Sequence, residues 1–345
     1  MISFKNDYSE GAYPQILEAL LRTNMEQTSG YGLDPHSENA ERMIKEKINF
    51  QDCWVHFLAG GTITNLVMIS QALRPYEATI APCTGHICTH EAGAIEATGH
   101  KVIHVPSNNG KITAADVQQV LEEHTDFHMV LPKLVYISNP TEIGTLYTKA
   151  ELEALRSICR QKGLYLYLDG ARLASALTAP GNDIALEDYP RLTDAFYIGG
   201  TKCGALFGEA LVITRPELNE NIMFNRKQKG AVTAKGRLLG IQFEELFRED
   251  LYIKAGEISN KMALRIRDAI AKEGFGFLIE SVTNQQFPIL PKKLLEELGK
   301  KYEYTFWQPH NQEYDVVRLV TSWATTEEQV DAFIHDFKEA AKAYK

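Results

Sequence analysis

The sequence contains two stretches that decide the fold, Leu164-Tyr-Leu-Tyr-Leu-Asp-Gly-Ala-Arg172 and Ala195-Phe-Tyr-Ile-Gly-Gly-Thr-Lys202. Each begins as a short apolar run, which is typical of a buried β-strand, and continues into glycine and charged residues. The first strand leads into Asp169 and the second leads into Lys202. Because ligands of parallel sheets bind outside the carboxyl ends of the strands, we expect these two side chains to face one crevice.

Similar apolar runs recur on both sides of these stretches, separated by segments in which apolar residues have helical spacing. Residues 113–123 and 149–162 are examples of such predicted helices. The regular alternation predicts an α/β fold whose mostly parallel sheet is covered on both faces. The seven predicted strands are residues 54–58, 78–81, 101–105, 134–138, 164–168, 195–198 and 210–213.

The pattern changes after Pro216, where a long helical region precedes a compact α+β unit. We therefore predict an N-terminal arm (residues 1–50), a large domain (51–249) and a small C-terminal α+β domain (250–345). The predicted helices of this last part are 236–247, 253–272, 291–300 and 326–344, and its predicted strands are 281–290, 303–308 and 316–321.

Composition excludes several classes of protein. A chain of 345 residues with 44% hydrophobic content can bury a sizeable core, and a net charge of −9 disfavours a nucleic-acid partner. No apolar stretch is long enough to span a membrane and no secretory signal is apparent, so a cytoplasmic protein is expected. The five cysteines include no CxxC pair, which predicts reduced thiols and no zinc site.

Asp169 and Lys202 together indicate a covalent pyridine cofactor. A lysine amine that follows two glycines beside apolar residues can attack a carbonyl and form a Schiff base. A carboxylate that holds a pyridine nitrogen protonated keeps the ring an electron sink, and Asp169 fits this role. Either residue alone is more often a helix cap, a turn residue or a solvated charge; their pairing favours the cofactor site.

A strand-to-helix turn, Phe57-Leu-Ala-Gly-Gly-Thr62, predicts the phosphate site of that cofactor. Glycines before a helix expose backbone N–H groups, and the hydroxyl of Thr62 adds a donor. Paired glycines at such a turn are also common as plain turn geometry. The stretch lacks the GxGxxG spacing of dinucleotide folds and the GK[ST] ending of P-loops, which disfavours a nucleotide.

Two histidines and an arginine complete the predicted site. His86 and His90 are four residues apart, so on a helix they share a face, where an imidazole can stack on a pyridine ring or move protons. A pair of loop histidines with satisfied hydrogen bonds is the alternative; no third metal ligand is apparent, and no metal is predicted. Arg318 interrupts an apolar strand, either as a structural residue or as a bidentate clamp for a substrate carboxylate.

In their order and spacing, these motifs closely resemble the L-threonine aldolase and β-eliminating lyase family, over nearly the whole chain. The resemblance implies the aspartate aminotransferase-like fold (fold type I), in which the large domain binds pyridoxal 5'-phosphate. Lys202 then forms the internal aldimine, Asp169 binds the ring nitrogen and His86 stacks on the ring. The implied cofactor-binding residues also include Gly60, Gly61, Thr62, Arg172, Thr201 and Lys235, and the implied substrate-binding residues are Asn6, Tyr31, His90, Arg172 and Arg318.

The resemblance also implies homodimers or homotetramers with active sites at the subunit interface, where Tyr31 reaches a neighbour's site. Two departures from the family pattern concern the substrate. The stretch Asn139-Pro-Thr-Glu-Ile143 lacks the histidine that contacts the substrate hydroxyl in many aldolases, and Ala234 stands at an arginine position, where Lys235 is expected to substitute.

From these features we expect retro-aldol cleavage of a β-hydroxy-α-amino acid such as threonine, which gives glycine and an aldehyde. His86 or His90 is the expected base for the hydroxyl proton. One alternative is β-elimination from a cysteine- or tyrosine-like amino acid, in which Lys202 takes the α-proton. The other is a non-catalytic protein that binds the same cofactor.

Overall fold

The computed structural model describes residues 1–344, which fold around a central sheet and a smaller C-terminal sheet. The strands are β1 (Ile2–Ser3), β2 (Trp54–Leu58), β3 (Glu77–Pro82), β4 (Lys101–Val105), β5 (Leu131–Ser138), β6 (Tyr165–Asp169), β7 (Ala195–Gly199), β8 (Glu209–Ile213), β9 (Gln285–Gln286), β10 (Ile289–Pro291), β11 (Tyr302–Glu303), β12 (Thr305–Pro309) and β13 (Tyr314–Val320). The helices are α1 (Pro14–Arg22), α2 (Pro35–Lys47), α3 (Gly61–Ala72), α4 (His86–Thr89), α5 (Ala114–Glu123), α6 (Lys149–Lys162), α7 (Leu173–Thr178), α8 (Tyr189–Leu192), α9 (Pro216–Asn219), α10 (Ile222–Gln228), α11 (Arg237–Arg248), α12 (Leu251–Lys272), α13 (Lys292–Leu298) and α14 (Glu327–Ala341).

The central sheet has seven strands in the order β2-β8-β7-β6-β5-β3-β4. β8 runs antiparallel to both of its neighbours, and the remaining adjacent pairs are parallel. Each predicted run overlaps one of these strands, so the predicted mostly parallel, seven-stranded α/β sheet is confirmed. Its parallel strands end along one edge, where the antiparallel β8 begins.

Side chains of β6 point alternately to the two faces of the central sheet. Leu166 and Leu168 point to one face of the sheet, where both are fully buried against the helices. Burial of each leucine stabilises the fold by about 2 kcal/mol. Tyr165, Tyr167 and Asp169 point to the opposite face, where tyrosine side chains lie against a second apolar cluster. The two clusters cover both faces of the sheet, as a parallel sheet requires.

The predicted helices 113–123 and 149–162 are confirmed as α5 and α6. Thr113 and Thr148 are their N-caps, and each accepts a hydrogen bond from the backbone N–H three residues on. The acidic side chain at that third position bonds back to the cap's own N–H, which closes a capping box in both helices. Gly163 ends α6 with a φ of 66°, a left-handed conformation that glycine adopts without strain.

The C-terminal unit consists of the sheet β10-β13-β12, with β9 paired to β13, packed on α12, α13 and α14. The predicted strand 281–290 is wrong over most of its length, because only β9 and β10 form within it. Its first part instead folds on side-chain hydroxyls: Thr283 N donates to Ser281 Oγ at 3.2 Å. Such local bonds compete with a strand ladder for the same backbone groups.

The first fifty residues contribute to both units. β1 pairs with β11, and Phe4 packs in the core of the C-terminal unit. Helices α1 and α2 pack on α11 beside the central sheet. Near the second predicted boundary, α12 packs on both α7 and α14. The limits at residues 50 and 250 therefore stay predictions, and residue 345 lies outside the described residues. Within residues 1–344, no helix combines the length and apolar character of a transmembrane span.

Candidate active site

The carboxyl ends of β2, β6 and β7 surround a cavity of about 240 Å³, which we call the inner cavity. Seven residues singled out in the sequence line it. Residues from separate parts of the sequence meet here because parallel strands end at one edge of the sheet. The seven are Gly60, Gly61, Thr62, His86, Asp169, Thr201 and Lys202.

Asp169 lies at the floor of the inner cavity in a dense hydrogen-bond network. The hydroxyls of Tyr136 and Tyr197 each donate to its carboxylate at 2.6 Å, and Asn65 Nδ2 donates at 3.2 Å. Burial opposes ionisation, but the two tyrosine hydrogen bonds and the nearby His86 outweigh it, so the pKa of Asp169 lies below its ordinary value. The structure therefore holds a fixed negative charge at this position.

Strand register explains the tyrosines around Asp169. Tyr136 is paired with Tyr167 across β5 and β6, so both side chains lie on the face to which Asp169 also points. On β7, Tyr197 lies on that face as well and donates to Asp169. The Tyr167 hydroxyl donates to Asn65 Oδ1 at 2.9 Å, which orients the amide toward the carboxylate.

Lys202 follows a tight turn after β7. A Cβ atom on Gly200 would lie 2.7 Å from the carbonyl oxygen of Gly208, so a larger residue would displace the turn. The Gly200 N–H and the Thr201 hydroxyl donate to the two carboxylate oxygens of Glu209 at 2.9 and 2.8 Å. Burial raises the pKa of Glu209 to about 8, although these bonds and Lys202 act against it.

The opposite wall of the inner cavity is the N-terminus of α3. This twelve-residue helix begins at Gly61, so its first N–H groups have no partner within the helix. A Cβ atom on Gly61 would lie 3.2 Å from the Tyr197 hydroxyl, which keeps this wall narrow. Such N–H groups, together with the hydroxyl of Thr62, have the chemistry that binds an anion.

A second cavity of about 550 Å³, which we call the outer cavity, shares His86 and Lys202 with the inner one. His90, Arg172 and Arg318, all predicted from the sequence, also line it. The two cavities also share Tyr8, so they are continuous with each other at the three shared residues.

The two arginines of the outer cavity differ in their partners. Arg172 is buried and donates two hydrogen bonds to Asp7, at 2.6 and 3.1 Å. Burial opposes its charge, yet Asp7 and then Glu142 raise the pKa of Arg172. Arg318 has no carboxylate within 4.0 Å among the described residues, and burial, followed by Arg172, lowers its pKa. Arg318 thus retains capacity for an anionic ligand.

His86 is held by a carboxylate. Its Nδ1 lies 2.8 Å from Glu91 Oε1, and Asn65 Nδ2 donates to the same oxygen at 2.7 Å. Burial opposes protonation, but the Glu91 bond raises the pKa of His86. The ring of His90 lies 5.6 Å away, centroid to centroid, and burial lowers its pKa. The second nitrogen of His86, Nε2, is free of this bond.

This donor set fits pyridoxal phosphate. A buried carboxylate of lowered pKa suits a protonated pyridine nitrogen, and the helix N-terminus at Gly61 suits a phosphate. Lys202 lines the same cavity, and a lysine amine can bind an aldehyde carbon.

The β-eliminating lyase family profile matches residues 6–280. The chain belongs to the β-eliminating lyase family. It is 49% identical to Leishmania major threonine aldolase, whose solved structure superimposes with a TM-score of 0.98 over 99% of this chain and 100% of that one. The low specificity L-threonine aldolase of Pseudomonas aeruginosa is 27% identical over 97% of this chain and 96% of its own length.

A structure of aspartate aminotransferase from Thermus thermophilus shares the fold at 14% identity, with a TM-score of 0.71 over 99% of this chain and 91% of that one. The family resemblance, fold type I and pyridoxal phosphate, all expected from the sequence, are confirmed. Within residues 1–344, no cluster of three His, Cys, Asp or Glu side chains is arranged to hold a metal ion.

Three predicted site residues of this lyase-family chain lie outside both cavities. Asn6 accepts hydrogen bonds from Tyr8 N and Ser9 Oγ in a local turn. Tyr31 is 47% exposed and lines a separate cavity, and its N–H donates to Ala234 O, next to the exposed Lys235. Within this chain, the three are separated from the cofactor space.

The sequence reasoning missed several residues that organise the site. Strand alternation gave a usable signal for Tyr136 and Tyr197, because each is an even number of residues from its strand end. No local pattern distinguishes Asn65, Glu142 or Glu209 from ordinary polar residues. The further missed residues are Asp7 and Glu91.

Proposed function

We propose that this chain is a pyridoxal phosphate-dependent aldolase that cleaves β-hydroxy-α-amino acids of the L-threonine type into glycine and an aldehyde. The observation that carries the proposal is the junction of the two cavities at Lys202 and His86. A cofactor site lies on one side. On the other lies Arg318, which has no carboxylate partner among the described residues, and there is room for an amino acid between them. Similarity to threonine aldolases over nearly the whole chain favours this substrate class.

Bound pyridoxal phosphate supplies the electron sink for a bond that breaks at the α-carbon. Lys202 would hold its aldehyde carbon and Asp169 its ring nitrogen. The N-terminus of α3, with Gly61 and Thr62, would hold the phosphate, and His86 would stack on the ring. The fixed charge of Asp169 is the chain's main contribution, because a preorganised carboxylate needs no reorganisation during the reaction.

Arg318 binds the substrate's α-carboxylate in this proposal. A guanidinium forms two parallel bonds to a carboxylate, which fixes the orientation of the amino acid as well as its position. Orientation decides which bond at the α-carbon aligns with the ring, so this residue selects Cα–Cβ cleavage. Arg172 lines the same cavity, but its guanidinium is occupied by Asp7.

The hydroxyl on the β-carbon must lose its proton as the carbon–carbon bond breaks. His86 and His90 line the outer cavity and are the bases proposed from the sequence. Lys202, which lines both cavities, would return a proton to the α-carbon to complete glycine.

We further propose that the chain forms homodimers or homotetramers. Leu17, Leu21 and Met25, on or just after α1, are 48%, 79% and 87% exposed, which is a large apolar surface for a monomer. Tyr31 and Lys235 lie close together on the surface, so in this proposal they contribute to a neighbour's site. All five cysteines lie within the described residues and are free, in keeping with a reducing cytoplasm.

Product analysis tests the proposed function. The purified protein with added pyridoxal phosphate is incubated separately with L-threonine and L-cysteine. We expect equal amounts of acetaldehyde and glycine from threonine and no pyruvate from cysteine. Pyruvate without acetaldehyde would instead establish β-elimination, and a bound cofactor with neither product would establish a non-catalytic binding protein.

Lys202→Ala tests whether Lys202 forms the covalent bond to the cofactor. After borohydride reduction, intact mass should show the cofactor adduct on the wild type and not on the variant, and threonine cleavage should fall at least about 10³-fold. Lys162→Ala changes an exposed lysine at the end of α6 and should retain both. An adduct on the Lys202 variant would place the linkage elsewhere.

A further inference from the structure

Glu142 lies in the outer cavity, four residues after the end of β5. Its residue is only 8% exposed, so the carboxylate has lost most of its hydration. A buried carboxylate is costly unless hydrogen-bond donors or positive charges replace the lost water. The hydrogen-bond partners that Glu142 lacks therefore indicate which chemical groups a ligand of this cavity would supply.

The chain itself supplies little to this carboxylate. Within residues 1–344, Glu142 accepts no hydrogen bond, and its ion pair is a long contact of 3.8 Å to Arg172 Nη1. The Arg172 guanidinium is already held by Asp7 at 2.6 and 3.1 Å. Glu142 consequently retains free acceptor capacity in the space where the amino acid would bind.

The two histidines are less suited to accept a proton there. Glu91 Oε1 lies 2.8 Å from Nδ1 of His86 and occupies that nitrogen, and it raises the pKa of the ring, so a smaller fraction of His86 is neutral and able to accept a proton. His90 is exposed at the rim of the cavity, so bulk water competes for its nitrogen. Glu142 lines the same cavity as both histidines but is buried, whereas His90 is exposed.

We propose that Glu142 binds the β-hydroxyl of the substrate and takes its proton as the Cα–Cβ bond breaks. The inference rests on the proposed function and assigns the acceptor within it. The O–H bond breaks toward Glu142, the oxygen electrons form the C=O bond of the aldehyde, and the Cα–Cβ pair stays with the glycine fragment, whose charge the cofactor ring spreads. A proton then reaches the α-carbon, and Glu142 returns its own to water.

Glu142→Gln separates hydroxyl chemistry from cofactor chemistry. The amide keeps size and shape but cannot take a proton. Two reactions of the holoenzyme are measured: acetaldehyde release from L-threonine, and exchange of the α-proton of glycine in deuterium oxide by NMR, which involves no hydroxyl. We expect cleavage to fall by about 10² or more, with exchange within about twofold of wild type.

Companion variants make the result decisive. Glu142→Asp keeps the carboxylate and should restore part of the cleavage rate, whereas Glu153→Gln, an exposed glutamate of α6, should change neither reaction. Unchanged cleavage in Glu142→Gln would overturn the proposal, as would equal losses of cleavage and exchange, which indicate a structural partner of Arg172. Failure of the proposed function itself would appear in the wild type, as glycine exchange without aldehyde release, and would remove this proposal with it.

Discussion

The inner and outer cavities differ in how completely the chain satisfies its own polar groups. At the floor of the inner cavity, Asp169 accepts hydrogen bonds from Tyr136, Tyr197, Asn65 and the N–H of Ala171. In the outer cavity, Glu142 accepts none from the described residues. The hydrogen bonds of Arg318 are long, at 3.4 and 3.5 Å, its Nε has no hydrogen-bond partner there, and its guanidinium lies 5.7 Å from the centroid of the Trp307 ring.

This difference in hydrogen bonding suits a resident cofactor in the inner cavity and a substrate that binds and leaves in the outer one. A resident cofactor benefits from a fixed, hydrogen-bonded charge that needs no rearrangement. A substrate that binds and leaves must itself supply hydrogen-bond partners for the protein. Polar groups of the free protein that lack such partners therefore strengthen substrate binding. The comparison predicts that changes at Asp169 in the inner cavity act mainly on the chemical step. In the outer cavity, loss of Arg318 should act mainly on substrate binding, whereas loss of Glu142 should act on transfer of the hydroxyl proton.

Among the variants that test this difference, Asp169→Asn is expected to have the largest effect, a loss of kcat. The amide keeps the shape but removes the charge that holds the ring nitrogen protonated, so kcat for threonine should fall by about 10² to 10³. Steady-state kinetics and the absorbance spectrum of the bound cofactor check this. Asp268→Asn, on the exposed side of α12, is the control and should leave kcat unchanged. A normal kcat in the Asp169 variant would break the assignment of the inner cavity.

Arg318→Ala should have an intermediate effect, on KM instead of kcat. Loss of the guanidinium removes a partly buried, bidentate carboxylate bond worth about 2 to 3 kcal/mol, so KM for threonine should rise by about 30- to 160-fold, with a smaller change in kcat. Arg265→Ala removes a surface arginine paired with Asp331 and should not alter KM. A drop in kcat at constant KM would show that the outer cavity does not hold the carboxylate.

The smallest effect is expected from Glu91→Gln. The carboxylate raises the pKa of His86 in the folded state, so the stability it contributes is fully present below the unfolded pKa of histidine and is lost as pH rises through the folded value. The variant should be less stable than wild type by about 1 to 2 kcal/mol in acid, with a smaller difference at alkaline pH.

An NMR titration of the His86 ring measures the same contact directly. Its pKa should be lower in the Glu91 variant than in the wild-type protein. The same pKa in both proteins would mean that Glu91 does not control His86, and would weaken the view of the inner cavity as a fully prearranged site.

The fold was predicted from local sequence patterns, and most of the apolar runs form strands in the structure. Apolar runs such as 195–198 became strands because a parallel sheet buried on both faces requires near-continuous apolar sequence. The stretch 281–290 looked similar but contains Ser281 and Thr283, whose hydroxyls each accept a hydrogen bond from the backbone N–H two residues further on. Periodicity alone could not distinguish these two outcomes.

The sequence by itself determined where the chemistry stands along the chain. Asp169 and Lys202 follow apolar strands, and Gly61 opens a helix, so strand-end placement brought them together without any knowledge of distant contacts. These assignments rest on local backbone geometry, which neighbouring residues encode.

Only the tertiary structure decided the state of each charged group. Arg172 is occupied by Asp7, 165 residues away in sequence, whereas Arg318 and Glu142 are left with capacity for a ligand. Ionisation and hydrogen bonding depend on burial and on whichever groups lie within a few ångströms, and those groups come from segments that only folding brings together.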